Sequence, residues 1–95
     1  MNKKRVKLPL TLDAAVRLLN GLVPEGMQAQ IAYMSEDQLS SLHMGLGRWI
    51  RDHLGLWGAN PELLAATGES NADDGSAVIV KALWEKLRDE LPKVH

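Results

Sequence analysis

The run from Ser35 to Asn60, SEDQLSSLHMGLGRWIRDHLGLWGAN, limits the fold of this chain more than any other segment. Ser35 and Gln38, three residues on, match a capping box, in which two side chains bind free backbone amides at the start of a helix. The apolar residues that follow recur at helical spacing. The pattern predicts one long helix from Ser35 to about Leu54, with the other segments packed around it.

A helical wheel at about 100° per residue divides this predicted helix into two faces. The apolar face carries Leu39, Leu42, Leu46, Trp49, Ile50, His53 and Trp57. The other face carries Ser41, Met44, Arg48, Arg51 and Asp52, with Arg48 and Asp52 spaced for an i,i+4 ion pair. The histidine and both tryptophans of the apolar face are therefore predicted to be buried, and both arginines to face solvent.

Capping signals predict two helices before this run. Thr11 is a suitable N-cap, and apolar residues recur at helical spacing from 12 to 23. Pro24 can end that helix and open the next, a short amphipathic helix that reaches about residue 34. Residues 1–10 are predicted to form an N-terminal arm.

Two more helices are predicted after the run. Asn60, Pro61 and Glu62 supply an N-cap, a first-turn proline and a first-turn acid for a short helix, and Gly68 is its expected C-cap. Asp73 can cap a last helix over residues 74–90. No segment has convincing strand character. The chain is therefore predicted to be all-α, a compact single domain at residues 11–95 with about five helices around a long central one.

Composition limits the chemistry that the chain can perform. It has 95 residues and no cysteine, so one small core is expected, and disulfides, thiolate catalysis and cysteine zinc sites are excluded. No stretch approaches the roughly 20 apolar residues of a membrane-spanning helix. A cytoplasmic protein without membrane contact is expected.

The N-terminus is basic although the formal net charge of the chain is −1. Lys3, Lys4, Arg5 and Lys7 form a basic arm that could contact phosphates or an acidic partner. A solvated chain end is the alternative interpretation.

The histidines of the central run do not have the spacing of a metal site. His43 and His53 would lie about 15 Å apart along an α-helix, whereas the HExxH motif places its histidines four residues apart. His53 is interpreted as a structural residue, and His43 lies near the edge of the apolar face. No catalytic constellation, calcium loop or nucleotide-binding loop is visible. We therefore expect no enzymatic activity, no metal and no cofactor.

Gly45 and Gly47 each lower helix stability by about 1 kcal/mol relative to alanine. Close packing of another helix is the favoured explanation, and a bend in the helix or access for a ligand are the alternatives. Trp49, Trp57 and Trp84 are interpreted as core residues rather than as an aromatic box.

The best candidates for binding lie toward the outer side of the predicted helix. His43, Met44, Arg48 and Arg51 could form a patch that faces a partner, since arginine and methionine are enriched at protein interfaces. A solvated polar face is the alternative. Self-association is also open, because three apolar residues are predicted to be exposed: Leu10, Met44 and Val94.

The run LHMGLGRWIRDHLGLWGANPELL, followed by DDGSAVIVKALWEKL, resembles a small bacterial domain family of unknown function. The shared pattern is an LHxGLGxWIR–GLW core, a short N-x-x-L segment and a helix of the A-x-I-x-x-x-L-W type. The matching residues are Leu42, His43, Gly45, Leu46, Gly47, Trp49, Ile50, Arg51, Gly55, Leu56, Trp57, Asn60, Leu63, Asp74, Ala77, Ile79, Leu83 and Trp84. The opening PLTLDAAV is also similar, so the resemblance extends from about residue 9 to 87. It implies no particular activity.

Three hypotheses about function follow. The first is a small cytosolic, non-enzymatic protein-interaction module, such as a regulatory, immunity or phage-borne inhibitory (anti-defence) protein. The second is binding of nucleic acid or nucleotide phosphate through the basic arm with Arg48 and Arg51. The third is a small-ligand site near His43, Gly45, Gly47 and Arg51.

Overall fold

A computed structural model of the chain describes residues 8–91. This range contains five α-helices: α1 (Leu12–Leu22), α2 (Glu25–Ala32), α3 (Arg48–His53), α4 (Pro61–Thr67) and α5 (Ala72–Asp89). No strand occurs among these residues, so the predicted all-α class is confirmed. None of the described helices has the length and apolar character needed to cross a bilayer. Outside the described range lie Val94 and the four basic residues of the predicted arm, Lys3, Lys4, Arg5 and Lys7.

Several helix ends follow from local capping chemistry, as predicted. The Thr11 hydroxyl accepts a hydrogen bond from the Ala14 amide at 3.1 Å, and Ser35 and Gln38 form the expected capping box. Gly68 follows α4 in the left-handed region, at φ 80°, which glycine adopts without steric penalty. These ends depend on a few neighbouring residues, which is why the sequence alone identifies them.

The start of α5 differs from the prediction. Asn71 caps this helix by accepting a hydrogen bond from the Asp74 amide at 2.9 Å. Asp73 lies instead in the first turn, where a negative charge is favourable near the helix N-terminus. The helix therefore begins two residues earlier than expected, and the Asp73 side chain is free for another contact.

The helix around which the others pack is α5. The other four α-helices and the irregular helices between α2 and α3 all pack against it. Its buried apolar residues recur at spacings of three and four, as expected for an amphipathic helix: Ile79, Val80, Leu83, Trp84 and Leu87. A five-helix arrangement around one long helix is thus confirmed, but the long helix is the last one and not the run after Ser35.

That run instead changes its helical form twice. We call Glu36–His53 the central segment; it consists of a 3-10 helix (Glu36–Leu42), a π-helix (His43–Gly47) and α3. Within the 3-10 helix, the hydroxyls of Ser40 and Ser41 bind carbonyls three residues earlier, at 3.3 and 2.7 Å. Such bonds compete with regular α-helix, and the glycines of the π-helix weaken it further. One continuous α-helix therefore does not form.

Two side chains join α5 to the segments before it. The indole N–H of Trp84 donates to the Met34 carbonyl at 2.9 Å, so this tryptophan belongs to the core, as predicted. Lys81 pairs with Glu36 at 3.0 Å, and its hydrogen bond to that carboxylate raises the pKa of Lys81. Both contacts fix the start of the central segment against α5.

The side chain of Asn60 connects three parts of the chain. Its amide donates to the carbonyls of Pro9 at 2.8 Å and Leu54 at 3.0 Å, and its oxygen accepts from the Leu63 amide at 3.3 Å. The last contact is the predicted N-cap of α4, and the first two were not predicted. Gly55 allows the tight turn before it, with φ 82° and no space for a Cβ atom next to Asn60.

Candidate functional site

The central segment has two sides with different chemistry. Its inner side faces α5 and holds Arg51, which is only 4% exposed. Its outer side presents Trp57, in the turn that follows α3, which is 63% exposed, and His53, which is also exposed. The prediction that Arg51 faces solvent is therefore wrong, and so is the predicted burial of Trp57 and His53.

The errors at Arg51 and His53 share one geometric cause, whereas Trp57 lies in the turn after α3, where a helical phase no longer applies. The helical wheel assumed about 100° per residue throughout, whereas a 3-10 helix turns about 120° per residue. Seven 3-10 residues therefore shift the phase by about 140°, and the wider π turn reverses only part of this shift. The buried residues of this region are Leu46, Gly47, Ile50, Arg51 and Leu54. This stripe is rotated from the predicted face and includes the arginine.

The guanidinium of Arg51 links the central segment to the first turns of α5. Nη1 donates to Ser76 Oγ at 3.0 Å and lies 3.4 Å from His43 Nδ1, while Nη2 donates to the His43 carbonyl at 3.2 Å. Nε lies 3.3 Å from Asp73 Oδ1, at an angle that makes this contact an ion pair without a hydrogen bond among the described residues. The buried charge is thus neutralised by a carboxylate and oriented by three further groups.

Gly47 provides the space for this guanidinium. A Cβ atom at this position would lie 3.2 Å from Arg51 Nη1 and 3.4 Å from the Leu42 carbonyl oxygen. Gly47 is therefore closely packed, but its two nearest neighbours belong to its own segment; the other helix predicted to pack there contributes only Ser76 Oγ of α5, at 3.7 Å. At Gly45 the same prediction is wrong, because a Cβ atom there would meet nothing within 4 Å.

His43 lies at the edge of the buried region, as predicted, and orients the arginine. A guanidinium can only donate hydrogen bonds, so Nδ1 faces it as an acceptor, and the proton of the neutral ring lies on Nε2. Nε2 points toward Asp73 Oδ1 at 4.0 Å. Ser76 is fully buried and donates to the Asp73 carbonyl at 2.9 Å. The Ser76 hydroxyl accepts from Arg51 and donates to the Asp73 carbonyl, and it makes no bond to the His43 imidazole. Ser76 therefore does not have the geometry of an activated nucleophile.

An apolar cavity of about 460 Å³ opens beside this network, between the central segment and α5. His43, Gly47 and Ser76 contribute to its wall, together with apolar side chains such as Leu39 and Val80. Arg51 does not line the cavity but is hydrogen-bonded to two residues that do, Ser76 and His43. The cavity can accept an apolar group, with Ser40, His43 and Ser76 as polar residues of its wall. Among the described residues, no group of three His, Cys, Asp or Glu side chains is placed to hold a metal ion.

The outer side carries a chain of contacts that holds an exposed tryptophan in place. The Trp57 indole N–H donates to Asp52 Oδ1 at 2.8 Å. Asp52 Oδ2 lies 3.7 Å from Arg48 Nε, so the predicted i,i+4 ion pair is confirmed. An aspartate shared by an indole and a guanidinium fixes an aromatic side chain that makes little contact with the core.

A second aromatic pair lies next to this chain of contacts. The rings of Trp49 and His53 stack with centroids 4.4 Å apart and planes inclined by 12°. His53 Nδ1 lies 3.0 Å from the Trp49 carbonyl oxygen, one turn earlier, and donates to it because a carbonyl only accepts. Met44 is 70% exposed, one turn before Arg48. We call the surface formed by Met44, Arg48, Trp49, Asp52, His53 and Trp57 the outer face.

An apolar groove of about 480 Å³ adjoins the outer face. Its walls are apolar residues of α1 and α2 on one side, and Gly45, Leu46 and Trp49 of the central segment on the other. Leu22, on the α1 side, is 55% exposed. Gly45 therefore has a different role from the predicted one, since the absence of a side chain leaves this groove open.

The structure separates the four predicted binding residues into two groups. Met44 and Arg48 lie on the outer face. Arg51 lies inside, and His43 lies beside it at the edge of the cavity. The predicted patch of all four residues is thus not one surface.

Sequence reasoning missed several features of these sites: the exposure of Trp57 and His53, Asp52 as the partner of Trp57, Asp73 as the partner of Arg51, and Ser76. One signal pointed to the buried arginine. Gly47 precedes Arg51 by four residues, which is one helical turn, and the absence of a side chain there leaves room for a guanidinium. No signal in the sequence indicated Ser76, because its contact depends on how α5 packs against the central segment.

Comparison with known proteins adds a family but no activity. Residues 8–87 match the model of a family described as Domain of unknown function (DUF6794). No curated protein and no solved structure matches the chain. The match covers most of the chain and confirms the resemblance to a domain family of unknown function. The chain therefore belongs to the DUF6794 family.

Proposed function

We propose that this member of the DUF6794 family is a small, non-enzymatic protein-interaction module of the cytoplasm, and that the outer face is its contact surface. The observation that carries the proposal is the exposed Trp57, fixed by its hydrogen bond to Asp52. A regulatory, immunity or phage-borne inhibitory protein would act through a surface of this kind.

A tryptophan that stays in solvent does not give the fold the stabilisation that burial of its large apolar side chain would provide. Its indole N–H is nonetheless bound to Asp52, so the ring is held in one orientation. An aromatic side chain that is already ordered loses less conformational entropy when a partner covers it. Tryptophan and arginine are also the residues that most often dominate the binding energy of protein interfaces. Trp57 and Arg48 therefore have the character of interface anchors.

The apolar groove extends the contact surface. It adjoins the outer face at Trp49, and Leu22 and Met44 add exposed apolar area. A large contiguous patch of exposed apolar surface often marks an interaction site. A ridge of anchored aromatic residues beside an apolar groove can bind an apolar side chain of a partner.

Affinity capture from bacterial lysate with matched variants tests this proposal. The bait is the full chain as wild type, as Trp57→Ala, and as Tyr33→Ala, which removes an aromatic residue that is 74% exposed but lies outside the outer face. A protein captured by the wild type is then purified and titrated against all three. We expect Trp57→Ala to weaken its binding at least about tenfold, a loss typical of an interface anchor. Tyr33→Ala should leave the affinity unchanged. Equal binding of the captured protein by all three baits would exclude the outer face as its contact surface.

One observation supports a second candidate, a small-ligand site. The cavity is lined by His43 and Gly47, two of the four residues named in this hypothesis, whereas Gly45 lines the groove. Small apolar fragments would test it by NMR, with the His43 ring protons as reporters and those of His53 as a control. Binding that shifts only the His43 signals would support a ligand site, and shifts at neither histidine would count against it.

The nucleic-acid hypothesis loses one of its two arginines. Arg51 is buried and engaged, so a phosphate contact would depend on Arg48 and the basic arm. It stays a prediction, and the salt dependence of binding to DNA or RNA would test it.

A further inference from the structure

We infer that the outer face binds a second copy of this chain. In this dimer, two α3 helices pack antiparallel about a two-fold axis, and Arg48 of each copy pairs with Asp52 of the other. The inference rests on the proposed function, because it names the partner of the same surface.

The spacing of the two charges favours this arrangement. Arg48 and Asp52 lie one turn apart, about 6 Å along the helix. In a two-fold symmetric interface, a residue that contacts a second residue across the axis is matched by the reverse contact. If the axis passes midway between these positions, antiparallel packing places each arginine opposite an aspartate. Both charges of one copy then meet charges of opposite sign on the other.

Both groups have bonding capacity left for such a contact. Arg48 Nε is 3.7 Å from Asp52 Oδ2, beyond hydrogen-bond range, and a guanidinium has five N–H donors in all. Asp52 uses Oδ1 to accept from Trp57, and Oδ2 stays accessible to another donor. The Arg48 and Asp52 side chains are 67% and 46% exposed. An intermolecular pair can therefore form while Trp57 stays in place.

The overall charge and polarity of the outer face also fit a second copy. Arg48 and Asp52 cancel, so the face has no excess charge that would repel an identical face. A surface adapted to a strongly charged partner would instead carry an excess of the opposite sign. Met44 and Trp57 flank the charged pair with exposed apolar area, which the second copy would cover.

Sedimentation of the full chain and two charge-reversal variants tests the inference. The wild type should show a reversible monomer–dimer equilibrium. R48E places a carboxylate opposite Asp52 of the second copy, and D52R places a guanidinium opposite Arg48. Each variant alone should therefore dimerise at least about tenfold more weakly. An equimolar mixture restores two attractive pairs, so a heterodimer should form more tightly than either variant dimerises alone, although D52R has lost the acceptor of the Trp57 indole.

Arg17 and Asp13 provide a matched control. They form an exposed i,i+4 pair on α1 at 3.0 Å, outside the outer face, and R17E and D13R should leave the dimer unchanged. Circular dichroism confirms that each variant is folded. A wild type that stays monomeric up to about 1 mM would overturn the inference, as would single variants that dimerise normally or a mixture that does not recover.

The outcomes separate the dimer from the underlying proposal. A monomeric wild type with a captured partner that depends on Trp57 would exclude the dimer and keep the outer face as an interaction surface. If the charge variants behave as expected but Trp57→Ala changes neither the dimer nor any captured partner, the dimer stands and Trp57 is excluded as the anchor of the outer face.

Discussion

The central segment and α5 pack against each other and span similar lengths of chain, yet only α5 is a regular α-helix. The buried side of α5 is mostly apolar, and such burial has no directional requirement, so the helix keeps its preferred geometry. The buried side of the central segment contains a guanidinium that needs acceptors in particular places. There the backbone adopts 3-10 and π turns that bring the His43 carbonyl and ring to Arg51. A buried side chain that needs hydrogen-bond acceptors in particular places is thus associated here with an irregular backbone.

The largest effect is expected where the core is apolar. Leu83 of α5 is fully buried, and Leu83→Ala removes buried carbon atoms and leaves a cavity. The free energy of unfolding should fall by about 2–5 kcal/mol, measured by urea denaturation. The exposed neighbour Glu85 is the control, since Glu85→Ala should change it by only about 0.5 kcal/mol or less. If Leu83→Ala lowered the free energy of unfolding by less than Arg51→Met does, the polar network would contribute more to stability than the apolar core of α5.

A smaller effect is expected from the polar network. Arg51→Met keeps an apolar stem but leaves the buried Ser76 hydroxyl and the His43 carbonyl without their donor, at a cost of about 1–3 kcal/mol. Asp73 is 61% exposed, so Asp73→Asn should cost only about 1 kcal/mol or less. Denaturation measures both, and backbone NMR shifts would show whether residues 43–47 keep their π turn. An Arg51→Met variant as stable as the wild type would show that the network orders the backbone without stabilising the fold.

The two glycines of the π-helix should respond with opposite signs. Gly47→Ala forces a methyl group against the Arg51 guanidinium, which cannot move freely because it is bound to Ser76. We expect a loss of about 1 kcal/mol, at the lower end of the cost of overpacking. Gly45→Ala meets no atom within 4 Å, so the better helix propensity of alanine should raise stability by about 0.5–1 kcal/mol. Thermal unfolding of the two variants measures their change in stability relative to the wild type. Equal changes in melting temperature would mean that Gly47 does not make room for the arginine.

The smallest effect is expected on the outer face. Arg48→Ala removes an exposed i,i+4 ion pair and should change the free energy of unfolding by about 0.5 kcal/mol or less. Denaturation at low and high salt measures this change. A larger loss would mean that Arg48 stabilises the fold, and its role in the proposed dimer could then not be separated from folding.

The sequence predicts those features that depend on a few neighbouring residues. The caps at Thr11 and Asn60, the capping box at Ser35 and the end of α4 at Gly68 were all predicted, because each depends on one side chain and nearby backbone groups. The all-α class followed from the same signals together with helical periodicity.

The candidate site was harder to predict because it depends on the phase of the central segment. A wheel with a fixed angle placed Trp57 and His53 inside and Arg51 outside. The local contacts of Ser40 and Ser41 and the glycines of the π-helix weaken regular α-helix here, and Arg51 also bonds to the distant Ser76. Apolar periodicity does not reveal either effect, so a wheel with a fixed angle misses the change in helical form. The wheel placed Met44 and Arg48 correctly, because both face solvent whether the segment is a regular α-helix or contains 3-10 and π turns.

The buried amide of Asn60 has a consequence for the order of folding. Its bond to the Pro9 carbonyl joins positions 51 residues apart, whereas its bonds to Leu54 and Leu63 are local. Local contacts form early, and a contact that closes a long loop forms late. We therefore expect Asn60→Ala to speed unfolding more than it slows folding, as measured by stopped-flow kinetics. In the native state, the beginning of the chain should detach from Asn60 before the rest unfolds, which would appear as faster amide exchange in the first turn of α1.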